Sequence, residues 1–209
     1  MKQLRSFDLQ NTNFTQIDQN SFSFKDSNNF SIDSFFLKDL IIKNNPITIL
    51  KSKPFQYFLK LEYLDLSNNK IQSIDCCSLF IDLVNLKTLD LSNNLIRSIQ
   101  ISAFEGLLQL KSLYLNFNRL VFIDFSVFGG LESLLELDLS RNKIEYINKT
   151  FPADLERLEY LILESNEIIA FEVGSFENLK SLKYLDLVNN NLNFLDRDQF
   201  RGLENLLVL

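Results

Sequence analysis

The sequence predicts an α/β solenoid, with short parallel strands stacked on a concave face and mostly loops or short 3-10 turns on the convex face. A frame of Leu-x-x-Leu-x-Leu-x-x-Asn, or a close variant, occurs eight times, and five of the seven steps between copies are 24 residues. Self-similarity at about 20–29 residues is typical of a solenoid whose stacked repeats bury a continuous core. We expect one domain over residues 1–209, with repeats beginning at Leu4, Leu37, Leu61, Leu86, Leu110, Leu134, Leu158 and Leu182, and a truncated ninth from Leu206.

Each Leu-x-Leu tripeptide predicts a strand, because alternate residues of a strand point to opposite faces. Its leucines then lie inward and the residue between them faces outward. The Asn that closes the frame carries both donors and an acceptor, so it can satisfy buried backbone groups where the chain leaves the strand. Thr12 takes this place in the first repeat and can do part of the same work. The predicted structural ladder is Asn45, Asn69, Asn94, Asn118, Asn142, Asn166 and Asn190.

The second half of the repeats predicts an aromatic ladder on the convex side, with rings packed edge to face. In the sixth repeat the column falls on Pro152, with Phe151 one place earlier, so we expect a local shift there. The predicted ladder is Phe22, Phe55, Leu79, Phe104, Phe128, Phe176 and Phe200.

The run from Leu110 to Leu131 matches the pattern LxxLxLxxNxLxxIxxxxFxxL throughout. The chain resembles, over essentially its whole length, the typical animal leucine-rich repeat, and it is similar to Toll-like receptor ectodomains and related extracellular proteins. The resemblance implies a curved leucine-rich-repeat horseshoe that lies at the cell surface and binds a protein ligand or co-receptor. It also implies a role in innate immunity and the formation of homo- or heterodimers. A secreted matrix or adhesion protein without a signalling role is the alternative, and a cytoplasmic scaffold also stays open.

Composition argues against an enzyme and against a cofactor. The chain has no His, which removes the commonest general base and metal ligand, and five Gly residues form no phosphate-binding loop. A net charge of −6 lacks the basic footprint of a nucleic-acid-binding protein. No apolar run reaches the roughly 18–20 residues of a membrane span, so no membrane contact is expected from this segment.

Cys76 and Cys77 are adjacent, and adjacent cysteines pair only through a strained ring. Either one packs inward and the other is incidental, or one bridges to a cysteine outside this segment or to a partner chain. A metal site is not expected, because no His and no other Cys could complete it.

Three further features depart from the frame. The first repeat is nine residues longer than the 24-residue unit, and the excess within Ser23–Phe36 is either a degenerate repeat or a functional loop. The sequence starts and stops abruptly without polar or cysteine-rich caps, so we expect a segment of a longer solenoid. The Asn-x-Ser/Thr sequons predict glycosylation at Asn13, Asn29 and Asn148.

The predicted ligand surface is the concave face of repeats five to eight. Exposed aromatic and β-branched residues replace the common Asp, Ser and Asn there, as in binding hot spots, and Arg141 adds a bidentate donor. Scattered drift on a tolerant surface is the alternative. The column Asp8, Asp65, Asp90, Asp138 and Asp186 is interpreted as the structural default and not as a cation site. The predicted contact residues are Tyr114, Asn116, Phe117, Arg141, Tyr160, Ile162, Glu164, Tyr184 and Val188.

Overall fold

The structure, a computed structural model, describes residues 4–22, 36–75, 79–147 and 150–209. Each of the eight repeats contributes one three-residue strand to a parallel sheet whose strand order follows the chain, which confirms the predicted solenoid. The main-sheet strands are β1 (Ser6–Asp8), β3 (Asp39–Ile41), β5 (Tyr63–Asp65), β7 (Thr88–Asp90), β9 (Ser112–Tyr114), β10 (Glu136–Asp138), β12 (Tyr160–Ile162) and β14 (Tyr184–Asp186). A bridge between Tyr184 and Val208 continues the sheet into the ninth repeat.

Two-residue strands form three smaller parallel pairs beyond the main sheet. In the segments that connect one main-sheet strand to the next, short 3-10 helices also cover the core, at Phe125–Phe128, Ala153–Leu155 and Arg197–Phe200. In the described part of the chain no helix has the length and apolar character needed to cross a membrane. The paired strands are β2 (Gln16–Ile17) with β4 (Ile49–Leu50), β6 (Ser73–Ile74) with β8 (Ser98–Ile99), and β11 (Tyr146–Ile147) with β13 (Ala170–Phe171).

The core runs the length of the solenoid. The central residue of each main-sheet strand points inward, and from β3 to β14 it is a leucine with no exposed surface. The two residues flanking it therefore face the concave surface, because strand side chains alternate. Consecutive repeats align these leucines in register, as with Leu113, Leu137 and Leu161. This register fixes which concave side chains become neighbours.

The Asn ladder joins each repeat to the one before it. The Asn118 amide donates to the Leu115 carbonyl of its own repeat and to the Leu91 carbonyl of the preceding repeat, both at 3.0 Å. Its oxygen accepts the Ile96 N–H at 3.0 Å. The same pattern of donors holds at Asn69, Asn94, Asn142, Asn166 and Asn190.

The first repeat shows what a hydroxyl can replace. The Thr12 hydroxyl donates to the Leu9 carbonyl at 2.8 Å, which reproduces the bond that Asn makes within its own repeat. Asn45 completes the junction, because its oxygen accepts the Thr12 N–H at 2.7 Å and its amide donates to the Leu9 carbonyl at 2.9 Å. Among the described residues, no buried side-chain N or O atom lacks a hydrogen-bond partner.

Two details of the predicted aromatic ladder are wrong. In the third repeat the ring in the ladder belongs to Phe80, at 6.1 Å from Phe55, and the predicted Leu79 is a buried neighbour. This repeat has 25 residues, and the additional residue precedes the aromatic position, so counting forward from Leu61 stops one place early. The rings from Phe55 to Phe128 are also stacked, with interplanar angles of 7–13°, and not packed edge to face. Equivalent backbone positions in successive repeats repeat one ring orientation, which favours offset stacking.

The shift predicted in the sixth repeat is confirmed. Phe151 packs 4.2 Å from Phe125, a residue of the 3-10 helix in the fifth repeat. It then stacks on Phe176 at 5.8 Å, so the ladder resumes in the seventh repeat. Phe200 closes the series edge-on against Phe171, at 5.5 Å.

Candidate functional site

Four rows of side chains form the concave surface of repeats five to eight. The strand register defines a first row and a centre row on either side of the inward leucines. A turn row lies two residues after the centre row, and an edge row lies one residue further, immediately before the ladder Asn. The first row is Ser112, Glu136, Tyr160 and Tyr184, and the centre row is Tyr114, Asp138, Ile162 and Asp186. The turn row is Asn116, Ser140, Glu164 and Val188, and the edge row is Phe117, Arg141, Ser165 and Asn189.

Aspartate has a structural role in the centre row. The Asp138 carboxylate accepts the backbone N–H of Ser140, two residues on, at 2.9 Å. Asp8, Asp65, Asp90 and Asp186 make the same bond at 2.9–3.0 Å. These carboxylates hold the turn that leaves the strand, an arrangement typical of Asp in turns. Ile41, Tyr114 and Ile162 replace this turn-capping Asp in repeats two, five and seven.

The edge row adopts a left-handed backbone in every repeat, with φ between 51° and 59°. Asn tolerates this region better than other residues with a side chain, and it occupies five of the eight positions. The exceptions are consecutive: Phe117, Arg141 and Ser165, with φ of 54°, 53° and 55°. A bulky residue in this conformation carries a backbone strain of about 1–2 kcal/mol.

These strained residues join a chain of contacts along the edge. The Arg141 guanidinium lies 5.0 Å from the centre of the Phe117 ring, which is a cation–π distance. Arg141 also approaches the Glu164 carboxylate at 3.5 Å, and Glu164 accepts from the Ser165 hydroxyl at 3.2 Å. Phe117 nevertheless has 49% of its surface exposed, so the cluster leaves an aromatic face open to solvent.

The tyrosines lie in two different rows. Tyr160 and Tyr184 are neighbours in the first row, with ring centres 6.3 Å apart, and Tyr160 is 45% exposed. Tyr114 is half-buried in the centre row, where its hydroxyl donates to Glu136 at 2.9 Å. Two of the tyrosine hydroxyls are thus held by carboxylates, since the Tyr184 hydroxyl donates to Asp186 at 3.0 Å. A tyrosine fixed in this way presents a rigid ring to a partner.

Burial and neighbouring acids shift the titration of this surface. Burial raises the pKa of Asp138, and the nearby Glu136 and Glu164 carboxylates raise it further against the bonds from Ser140. Burial, together with the bond to Glu136, raises the pKa of Tyr114. The bond to Asp186 and the charge of that carboxylate raise the pKa of Tyr184. Tyr114 and Tyr184 therefore stay protonated as hydrogen-bond donors at neutral pH.

The predicted contact residues thus form two groups and some single residues. Phe117, Arg141 and Glu164 meet at the edge, and Tyr160 and Tyr184 meet in the first row. Tyr114 and Ile162 lie half-buried in the centre row, two strands apart. Asn116 is half-buried in the turn row, and Val188 is 59% exposed at its far end.

Two residues of this surface, Glu136 and Ser165, are not among the predicted contact residues. Glu136 holds the Tyr114 hydroxyl, and the signal was a Glu at a strand position that is Ser or Thr in the two preceding repeats. Ser165 is the third consecutive exception to Asn in the edge row. Its signal was the residue before each ladder Asn, compared across repeats.

Some predicted features lie outside the described residues, namely Cys76, Cys77, Asn29, Asn148 and residues 23–35 of the insertion. Asn13 is described and exposed, in the turn between β1 and β2. Within the described ranges, no group of three or more His, Cys, Asp or Glu side chains is arranged to hold a metal ion.

Two sequence-family models match the chain. One, described as "Leucine rich repeat", matches residues 37–79, 108–168 and 156–209. The other, described as "Leucine Rich repeats (2 copies)", matches residues 59–106. No curated protein matches the sequence significantly.

Solved structures share the fold. The chain is similar to TLR13 in the crystal structure of the TLR13–ssRNA13 complex, with 30% identity and a TM-score of 0.73 over 92% of this chain and 33% of that one. It is similar to a chain of the octameric complex of Latrophilin 3, Unc5D and FLRT2 (LRR), with 27% identity and a TM-score of 0.82 over 98% and 60%. It is also similar to internalin C2 from Listeria monocytogenes, with 26% identity and a TM-score of 0.70 over 98% and 79%. The chain spans about a third of the TLR13 chain and more than half of the second.

Proposed function

Because the chain belongs to the leucine-rich repeat family, a protein-interaction fold, we propose that it is a ligand-binding part of a Toll-like or similar cell-surface receptor ectodomain. In this proposal it acts extracellularly, in innate immunity, as a binding module and not as an enzyme. Repeats five to eight contact a protein ligand or co-receptor through their concave surface. The similarity to TLR13, solved in complex with ssRNA13, supports a ligand-binding receptor, and the similarity to a chain of the complex of FLRT2 with Latrophilin 3 and Unc5D supports a protein as the ligand.

One observation carries the location of the surface. The edge-row Asn is absent from three consecutive repeats, five to seven. The turn-capping Asp is absent from repeats five and seven, and also from repeat two, where Ile41 takes its place. Both losses lower local stability, and both place Tyr, Ile, Phe or Arg on one exposed face. Backbone strain is retained at functional sites where the side chain that causes it is needed. The location therefore rests on the edge row, since scattered drift would distribute its three losses among all eight repeats.

The test restores the common residues and measures binding and stability together. Tyr114→Asn/Phe117→Asn supplies an oxygen for the turn and an unstrained edge residue without adding charge beside Asp90 and Asp138. We expect the thermal midpoint to hold or rise. Capture of secreted and cell-surface proteins by the immobilised chain, read by mass spectrometry, should identify partners that the double variant no longer retains.

A matched control removes two apolar side chains of the same repeat outside the strand. Val121→Ala/Phe122→Ala changes residues that are 44% and 60% exposed. This control should retain the partners that Tyr114→Asn/Phe117→Asn loses. Equal capture by wild type and both variants would contradict the assigned surface.

A second candidate function, a matrix or adhesion protein on the same scaffold, is favoured by the similarity to the complex of FLRT2 with Latrophilin 3 and Unc5D. The full-length transcript separates the two. A receptor continues into a membrane span and a cytoplasmic signalling domain, whereas a matrix protein does not.

A further inference from the structure

A lysine-rich groove lies on the opposite edge of the sheet, where the chain approaches the strands. The residue before each main-sheet strand forms an upstream row, and in repeats two to five this row reads Lys38, Glu62, Lys87 and Lys111. Lys60 lies beside it, with its ammonium 4.7 Å above the Phe36 ring. The groove has a volume of about 310 Å³ and is lined by Lys38, Lys60, Glu62, Asn85, Lys87 and Gln109.

Glu62 holds the row together. Its carboxylate pairs with Lys38 of the preceding repeat and, at 2.5 Å, with Lys87 of the following repeat. These two lysines hold the pKa of Glu62 down at about 2, so the carboxylate stays ionised at neutral pH. One carboxylate thus positions two ammonium groups whose side chains remain 50% and 46% exposed.

The local charge is opposite to that of the chain. Four lysines against Glu62 leave an excess of three positive charges in and beside the groove, whereas the whole sequence has a net charge of −6. The upstream row begins with Arg5 in repeat one, next to Lys38, whereas in repeats six to eight it reads Leu135, Glu159 and Lys183 and has no net charge. The positive excess therefore lies in repeats one to five. With strands about 4.8 Å apart, the row from Lys38 to Lys111 extends roughly 14 Å. A positive stripe of this kind concentrates an anionic partner.

We propose that this groove binds a sulfated polysaccharide. The six lining residues are all polar or charged, so they offer neither the aromatic anchors of a protein interface nor the stacking platforms of a single-stranded nucleic-acid site. The three cations that line the groove, Lys38, Lys60 and Lys87, are flexible point charges that can each pair with a separate anionic group along a chain. The Gln109 amide can bond to sugar hydroxyls, as can the oxygen of Asn85, whose amide nitrogen donates to the Leu59 carbonyl at 2.7 Å.

This surface is separate from the concave site, so either proposal can fail alone. The probe is a heparin decasaccharide, titrated calorimetrically into the 209-residue chain at low and at physiological ionic strength. Lys87→Gln/Lys111→Gln should weaken its binding about tenfold or more, since each lysine near an anionic surface contributes appreciably. Lys180→Gln/Lys183→Gln removes the same charge from repeats seven and eight and should change the affinity less than about twofold.

The remaining arms use a desulfated decasaccharide, a single-stranded RNA oligonucleotide and a polyglutamate peptide. We expect none of them to bind as tightly as heparin. No heparin binding by the wild type, or an equal loss in both lysine variants, would overturn the proposal. So would RNA or polyglutamate binding as tight as heparin that Lys87→Gln/Lys111→Gln abolishes, because the groove would then select charge alone. Thermal midpoints of both variants should match the wild type, since the substituted side chains are at least partly exposed.

Discussion

The Asn ladder predicts a specific pattern of energetic coupling between repeats. The Leu91 carbonyl receives two amide donors, Asn94 of its own repeat at 3.1 Å and Asn118 of the next at 3.0 Å. In the same way the Leu115 carbonyl receives Asn118 and Asn142, both at 3.0 Å. Every such carbonyl therefore keeps one donor when a single Asn is removed.

The cost of one substitution follows from this redundancy. In Asn118→Ala the two leucine carbonyls keep their other donors, and only the Ile96 N–H loses its acceptor. An unpaired buried donor costs about 1–3 kcal/mol, so we expect a destabilisation of about 2 kcal/mol. In Asn94→Ala/Asn118→Ala the Leu91 carbonyl loses both amide donors. The double variant should exceed the sum of the single variants by about 1–2 kcal/mol.

The matched control is Asn94→Ala/Asn142→Ala, in which Asn118 still serves both the Leu91 and the Leu115 carbonyl. Its two effects should add within about 0.5 kcal/mol. The assay is urea unfolding followed by far-ultraviolet circular dichroism, with the free energy taken at constant m-value. Equal coupling energies in the adjacent and the separated pair would refute the shared-carbonyl mechanism.

Two further predictions concern a turn and a buried acid. Gly106 and Gly130 occupy the same place in successive repeats, with φ of 93° and 83°. A Cβ on Gly106 would lie 2.4 Å from the Ile81 carbonyl oxygen, whereas a Cβ on Gly130 would meet no atom within 4 Å. In urea unfolding, Gly130→Ala should lower the free energy of unfolding by about 1–2 kcal/mol, the cost of the left-handed backbone alone. Gly106→Ala should lower it clearly more, and equal losses in the two variants would show that the close approach is relieved without cost. Burial raises the pKa of Asp138 above its ordinary 3.8, so the folded state binds this proton more readily than the unfolded state and the ionised carboxylate opposes folding above the raised pKa. Asp138→Asn keeps an oxygen for the Ser140 N–H and should be more stable than the wild type at neutral pH, with an advantage that shrinks as the pH falls toward 3.8, and a pH-independent difference would contradict this cause.

The fold could be predicted because every repeat states the same constraint. Leu113, Leu137 and Leu161 must lie inward, and the Asn after each strand must meet backbone groups that no water reaches. The register of the sheet follows from the alignment of these columns. Where a repeat changes length, counting from its first leucine gives the wrong aromatic residue, as in the third repeat. Phe80 instead lies six residues before the first leucine of the next repeat, Leu86, just as Phe104 lies six residues before Leu110.

The candidate surface was less predictable, because it depends on contacts across rows. The sequence identifies Tyr114 and Phe117 as unusual, but the hydroxyl bond to Glu136 and the stacking of Arg141 on Phe117 require the strand register. The sequence of a single repeat likewise does not indicate the left-handed backbone of the edge row. It becomes a sequence signal only when the residue before each Asn is compared across repeats.

The edge row also offers equivalent positions, one in each repeat, at which recognition side chains can be placed by design. Its positions recur once per repeat with nearly the same φ, and Asn, which tolerates this conformation, occupies five of the eight. Replacing one Asn by a recognition side chain should therefore lower stability by a similar amount, about 1 kcal/mol, in whichever repeat it is made. A folded protein has a margin of only about 5–15 kcal/mol, so the number of such replacements is limited by stability before it is limited by space. Three consecutive positions, from Phe117 to Ser165, already use part of that margin.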